Sequence, residues 1–128
     1  MNIFSFRAFS LTLLFSLFFG TATTTAVAHH GWSWYNGDQD FTLTATVVEK
    51  HFGNPHDRMT VEADGQQWNL LLSPPARTRR AGLKAAMVDV GDTITAYGHR
   101  HRDEATFEMK TERLQVGEQL YNLYPDRS

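Results

Sequence analysis

The chain has 128 residues, of which 12 are Lys or Arg and 14 are Asp or Glu, with a formal charge of −2 and no cysteine. That length supports one small domain. The missing thiols exclude disulfides, thiolate zinc or iron–sulfur sites, blue-copper sites, cysteine nucleophiles and a lipidated Cys. The acidic balance argues against a nucleic-acid partner, which needs a basic face to meet phosphates.

Residues 1–28 read as an export signal. Met1–Arg7 carries one positive charge, and Ala8–Gly20 is apolar and dense in Leu and Phe. This is the length of a signal core and is short of the roughly 20 apolar residues of a membrane span. Small residues then lead to Ala26-Val27-Ala28, an A-x-A site whose cleavage makes His29 the N-terminus. Ala22 marks an alternative site. The expected location is the periplasm, with no membrane association after cleavage. Six of the nine Phe lie in this segment, so the 41% hydrophobic content overstates the folded part.

Residues 29–40 carry His, Trp, Gly and Asn without periodicity and read as an N-terminal arm. Residues 41–124 read as the folded domain. Phe41–Phe52 alternates, with Phe41, Leu43, Ala45 and Val47 on one face and threonines on the other, which predicts a half-buried strand. Gly53-Asn54-Pro55-His56 breaks it. Arg58–Ala63 and Gln67–Leu72 alternate again around Asp64-Gly65, a tight hairpin signal. Ser73 is placed to cap a helix that starts at Pro74-Pro75. Short helical turns are expected over Ala76–Ala81 and Lys84–Met87, with Gly82 between them. Thr93–His101 is a fourth strand and Thr106–Val116 a long fifth. The fifth strand's apolar parity shifts between Met109 and Leu114, which predicts a bulge. Gln119–Leu123 is a short last strand, and Tyr124–Ser128 is expected to fray. Three meandering strands, a short helical connection and two more strands are the layout of a small OB-like barrel of five to six strands. Closure suits a small domain without disulfides, because it removes exposed edges.

The six histidines all follow the signal. An N-terminal His29 offers its amine and ring Nδ1 to one metal ion. A third nitrogen completes a T-shaped brace, which suits copper(II) with its tetragonal preference. His30 adds a ligand at position two. His99 and His101 stand two apart on a strand and so share a face. Their parity is opposite to Ile94 and Ala96, which puts them outside the barrel, where an arm can fold over them. His51 and His56 bracket the Gly53-Asn54-Pro55 break. The expected metal set is therefore His29, His30, His56, His99 and His101, with copper as the favoured ion. The competing reading is that these histidines are solvated or satisfied locally. Trp32, Trp34 and Tyr35 read either as a platform for a periplasmic protein or small ligand, or as rings that anchor the arm on the barrel. Trp68 reads as core. Arg77, Arg79 and Arg80 form a basic cluster that reads as a solvated face. No nucleophile–base order, phosphate loop or H-E-x-x-H appears, so nothing supports an enzyme.

Several stretches together resemble a family of small exported bacterial proteins, domain of unknown function 6152. They are Ala28-His29-His30-Gly31-Trp32-Ser33 with Tyr35, the turn Gly53-Asn54-Pro55-His56, Leu71-Leu72-Ser73-Pro74-Pro75-Ala76-Arg77, Val90-Gly91-Asp92-Thr93-Ile94 with Gly98-His99, and the M-x-x-E-R pattern of Met109–Leu114. The resemblance implies an exported OB-like barrel and supplies no catalytic residue.

Overall fold

A computed structural model of the chain describes residues 31–127. The signal segment, His29 and His30 lie outside these described residues.

The alternating segments form six strands: β1 (Phe41–His51), β2 (Arg58–Ala63), β3 (Gln66–Leu71), β4 (Thr93–Arg100), β5 (Glu108–Val116) and β6 (Gln119–Asn122). They lie in the order β3-β2-β1-β4-β5-β6, and β3 also pairs with β5. That last ladder is parallel, Asn69 to Glu108 through Leu71 to Lys110, and it closes β1–β5 into a barrel. The β2–β3 hairpin turns on Asp64 (φ 51°) and Gly65 (φ 74°). Two successive left-handed residues follow the twist of the strands, which is why an Asp-Gly pair sits there. The inward residues of the alternating pattern make the core: Val47, Met59, Val61, Trp68, Leu70, Ile94, Met109 and Leu114 are all buried. The fold is the OB-like barrel that the strand order predicts.

Between β3 and β4 the chain forms α1 (Pro75–Arg80) and a 3-10 turn over Ala85–Met87. Leu83 and Val88 from this connection are fully buried against the core. Lys50 ties it to β1, donating its Nζ to the Ala85 carbonyl at 2.7 Å and to the Val88 carbonyl. The expected Ser73 cap does not form, since Pro74 holds the cap position without a side-chain bond. Ser73 is instead buried, with its hydroxyl 2.7 Å from that of Thr78. With two prolines opening the helix there is less N–H to cap, and the hydroxyl finds a partner one turn on.

The bulge falls within the predicted window. Tyr97 pairs with Arg113 but Gly98 pairs with Thr111, so Glu112 is the extra residue on β5. At Gly98 an added Cβ would lie 2.0 Å from the Lys110 carbonyl oxygen. Only glycine lets the bulged strand come this close. A second irregularity, between Val47 and Glu49 on β1, has no clear sign in the sequence pattern.

The outward side of β5 is covered rather than solvated. Lys110 and Glu112 are both buried, because the N-terminal arm and the C-terminal tail lie over them. The tail is therefore ordered as far as Arg127, contrary to the expectation of fraying. Leu123 and Tyr124 donate their backbone N–H groups to the Glu112 carbonyl, and Tyr124 is buried. Pro125–Arg127 then forms a 3-10 turn.

Candidate functional site

The arm is built by backbone pairing along the end of β4. After a 3-10 turn over Trp32–Trp34, Tyr35 bridges to His101. Asn36 N–H donates to the Arg100 carbonyl and Arg102 N–H to that of Trp34, each at 2.9 Å. Tyr35 is 0% exposed and donates its hydroxyl to Glu108 Oε1 at 2.5 Å. Burial and that carboxylate raise the Tyr35 phenol well above its ordinary value, so it stays a donor throughout the neutral range. Trp32 packs against the core, while Trp34 is 42% exposed. Two of the three arm aromatics thus serve as anchors. Only Trp34 turns a large face outward.

His99, on β4, and His101, just past its end, lie against the arm, which gives them different surroundings. His99 is 9% exposed, because the arm folds over the outer face to which its parity assigns it. Its Nδ1–H donates to the Gln39 carbonyl at 2.9 Å, and its Nε2 lies 3.2 Å from Glu112 Oε1. The Trp32 ring meets it edge-on at 6.5 Å. A carbonyl at Nδ1 fixes the ring orientation and aims Nε2 at the carboxylate, an arrangement also found around metal-bound imidazoles. The same Glu112 oxygen lies 3.7 Å from Arg127 Nε. His101 is half-buried, accepts the Asp103 N–H at Nδ1 (3.1 Å), and meets Trp34 and Tyr35 edge-on at 5.9 and 5.7 Å. His56 sits in the β1–β2 connection, and His51 is exposed at the end of β1. Among the described residues no three His, Cys, Asp or Glu side chains converge as a metal-holding group. His56, His99 and His101 therefore do not form one site by themselves.

Beside His99 the arm and tail assemble a stack of rings and cations. Arg127 lies 3.8 Å above the Trp32 ring, and Arg77 lies 4.9 Å from the Tyr124 ring. Lys110 Nζ lies beside the pair, 5.3 Å from each ring centroid. The rings themselves meet edge to face at 4.9 Å. Tyr124 donates its hydroxyl to the Leu72 carbonyl at 3.3 Å, which pins the tail to the segment just after β3. Lys110 is 2% exposed. Burial lowers its ammonium to about 8, with Glu108 opposing the shift and Arg127 and Arg77 adding to it. Burial also raises the Tyr124 phenol, against the pull of Arg77 and Arg127.

The residues missing from the sequence-derived set are Lys110, Glu112, Tyr124 and Arg127. A signal existed for one of them, because Glu112 is the acidic position of the M-x-x-E-R pattern and lies where the parity shifts. Lys110 follows Met109 on the outward parity of β5 and looks solvated until Trp32 of the arm and Tyr124 of the tail are packed over it. Arg77, read as part of a solvated basic face, is half-buried on Tyr124, while Arg79 and Arg80 are exposed as expected.

No helix among the described residues is long and apolar enough to cross a membrane. No curated protein matches the chain. Solved structures show the fold. A chain of the S. pombe Stn1–Ten1 complex matches with a TM-score of 0.51 at 9% identity, over 62% of this chain and 59% of that one. The ZRD-deleted mutant of TiaS in complex with agmatine matches with a TM-score of 0.50 at 13% identity, over 66% of this chain and 26% of that one. This chain thus spans little more than half of the first of these proteins and about a quarter of the second. At the level of sequence, a family model covers residues 18–110, and the chain belongs to the family it describes, a family of unknown function (DUF6152).

Proposed function

We propose that this chain is an exported, periplasmic protein that binds a divalent metal ion, copper above others, where the arm meets the barrel. The ligands are the amine and ring of His29, freed by cleavage after Ala28, and the Nε2 of His99, with Glu112 or His30 completing the set. The observation that carries the reading is the pose of His99. Its Nδ1–H is held by the Gln39 carbonyl, and its Nε2 faces Glu112 Oε1 at 3.2 Å under Trp32. His29 stands three residues before Trp32, whose ring lies 6.5 Å from that of His99, and three residues span at most about 10 Å, a length that permits its ring and amine to meet His99. Arg127 occupies the outer side of Glu112 and has to yield when a cation arrives.

Binding of this kind competes with protons, because amine and imidazole ligate in their neutral forms. The test is a copper(II) titration of protein exported from the full-length chain, with its N-terminus established by intact mass. One tight equivalent with a nitrogen-rich axial paramagnetic resonance spectrum is expected. One extra residue before His29, or His99→Gln, should weaken it by at least tenfold. Weak, multi-site uptake that ignores both changes rejects the proposal. A metal-free module for a periplasmic protein or small ligand would then lead, resting on the outward face of Trp34.

A further inference from the structure

The end of β4 carries a second cluster that the metal proposal leaves unused. Arg100, His101 and Arg102 follow one another there, and each has its backbone tied down. The Arg100 carbonyl accepts the Asn36 N–H, His101 N–H donates to the Glu108 carbonyl, and Arg102 N–H donates to that of Trp34, each at 2.9 Å. The side chains are held as well. The Arg100 guanidinium lies 4.8 Å from the Trp68 ring centroid and 5.4 Å from that of Phe107, and its Nη2 donates to the Glu104 backbone carbonyl at 2.7 Å. Arg102 donates its Nε to the Ser33 carbonyl at 2.9 Å. These acceptors are neutral, and among the described residues neither guanidinium forms an ion pair. The neighbouring Asp103 carboxylate is engaged elsewhere, accepting the Ala105 N–H and the Thr106 hydroxyl. Two positive charges are thus fixed side by side without a counter-charge.

The three side chains line one cavity of about 200 Å³, together with Asn36, Gln39 and Glu104. Arg102 is exposed, and Arg100 and His101 are half-buried, so each is reachable from solvent. Arg100 Nε is buried, which leaves its Nη1 for a ligand, and Arg102 keeps both of its Nη groups. His101 accepts the Asp103 N–H at Nδ1, so the neutral ring carries its proton on Nε2 and can donate there. Glu104 sets one exposed carboxylate against two guanidiniums, and the balance favours an anion. The volume is that of roughly six or seven waters, which suits one oxyanion group with part of its hydration. Planar guanidinium forks match the oxygens of phosphate and sulfate, and an arginine already anchored loses less freedom on binding.

We infer that this cavity binds a phosphate- or sulfate-type oxyanion, held by the Nη groups of Arg100 and Arg102 and by the Nε2–H of His101. None of these side chains is a ligand in the metal proposal, so the two stand or fall separately.

The test is calorimetric titration of the exported protein with sulfate, inorganic phosphate and glycerol phosphate, against chloride at equal ionic strength. One saturable equivalent is expected for sulfate and phosphate, and none for chloride. Tighter binding of glycerol phosphate than of inorganic phosphate assigns the group to an organic ester, and the reverse assigns it to the free ion. Arg102→Gln removes an exposed charge and should weaken sulfate by about tenfold or more, since a charge-assisted hydrogen bond is lost. Arg102→Lys keeps the charge without the fork and should fall between. In thermal melts, sulfate should raise the midpoint of the wild type and of Arg102→Lys but not of Arg102→Gln, a comparison that holds even where a variant loosens the arm. Uptake that chloride matches overturns the inference, because the salt then only screens surface charge. So does sulfate binding that Arg102→Gln leaves unchanged.

Discussion

Lys110 makes the energetics of the arm–barrel junction measurable. The residue is 2% exposed, and its ammonium lies 5.3 Å from the ring centroids of Trp32 and Tyr124 and is lowered from 10.5 to about 8. The native state therefore releases a proton that the unfolded chain keeps between pH 8 and about 10.5. Where the unfolded state binds more protons, stability rises with pH. Below pH 8 the lysine is charged in both states, and the full penalty of burying it is present. A shift of about 2.5 pH units corresponds to about 3 kcal/mol, of which about 2–3 kcal/mol is recovered between pH 7 and pH 10. Tyr35 and Tyr124 act in the opposite sense, because their raised phenols keep protons in the native state that the unfolded chain gives up near pH 10. Stability should therefore climb from pH 8 to near pH 10 and then fall. Lys110→Met removes the ammonium and keeps most of the stem. At pH 7 it forgoes roughly 1 kcal/mol of cation–π attraction, so the net gain is about 2 kcal/mol. Urea unfolding followed by Trp fluorescence at pH 7, 8, 9 and 10 reads both effects. The wild-type curve should rise over this range, and the Lys110→Met curve should stay nearly flat. Parallel curves would refute the reasoning, since the lysine would then be no harder to charge in the fold than outside it.

Two further predictions probe the framework. Gly98→Ala places a Cβ 2.0 Å from the Lys110 carbonyl, which backbone has to move to relieve. Destabilisation of about 2–4 kcal/mol is expected in thermal or urea unfolding, and a change below about 0.5 kcal/mol would mean that the bulge tolerates a side chain. Tyr35→Phe removes the buried hydroxyl that donates to Glu108, and should cost about 1–3 kcal/mol while leaving the far-ultraviolet circular dichroism of the barrel unchanged.

Much of the barrel was readable from local pattern. Period-two alternation is written into β1 through β5 because one face of each strand is apolar and the other polar. The Asp64-Gly65 hairpin is announced by two residues that accept positive φ, and the Glu112 bulge by the parity slip it forces on the apolar residues around it. The candidate site was less legible. Residue type and strand parity place His99 on the outer face, where an arm can fold, but local pattern does not say which groups cover it. Its burial comes from Trp32 and Gln39 of the arm and Glu112 of β5, which approach from two distant parts of the chain. Asp57 carried no signal, because a carboxylate beside a turn has the same local pattern whether it is solvated or sealed.

By itself the sequence determined the strand set, the turn positions, the bulge window and a family assignment carried by motifs spread along the chain. These depend on near neighbours, and near neighbours are what alternation and turn chemistry encode. The tertiary structure alone decided that β3 pairs in parallel with β5, that the arm around Trp32 and the tail at Tyr124–Arg127 cover the outer face of β5, and that Lys110, Glu112 and Asp57 end up buried. Those outcomes depend on contacts between residues far apart in the chain. There, closing the barrel and covering aromatic surface outweigh the polar residues' preference for water.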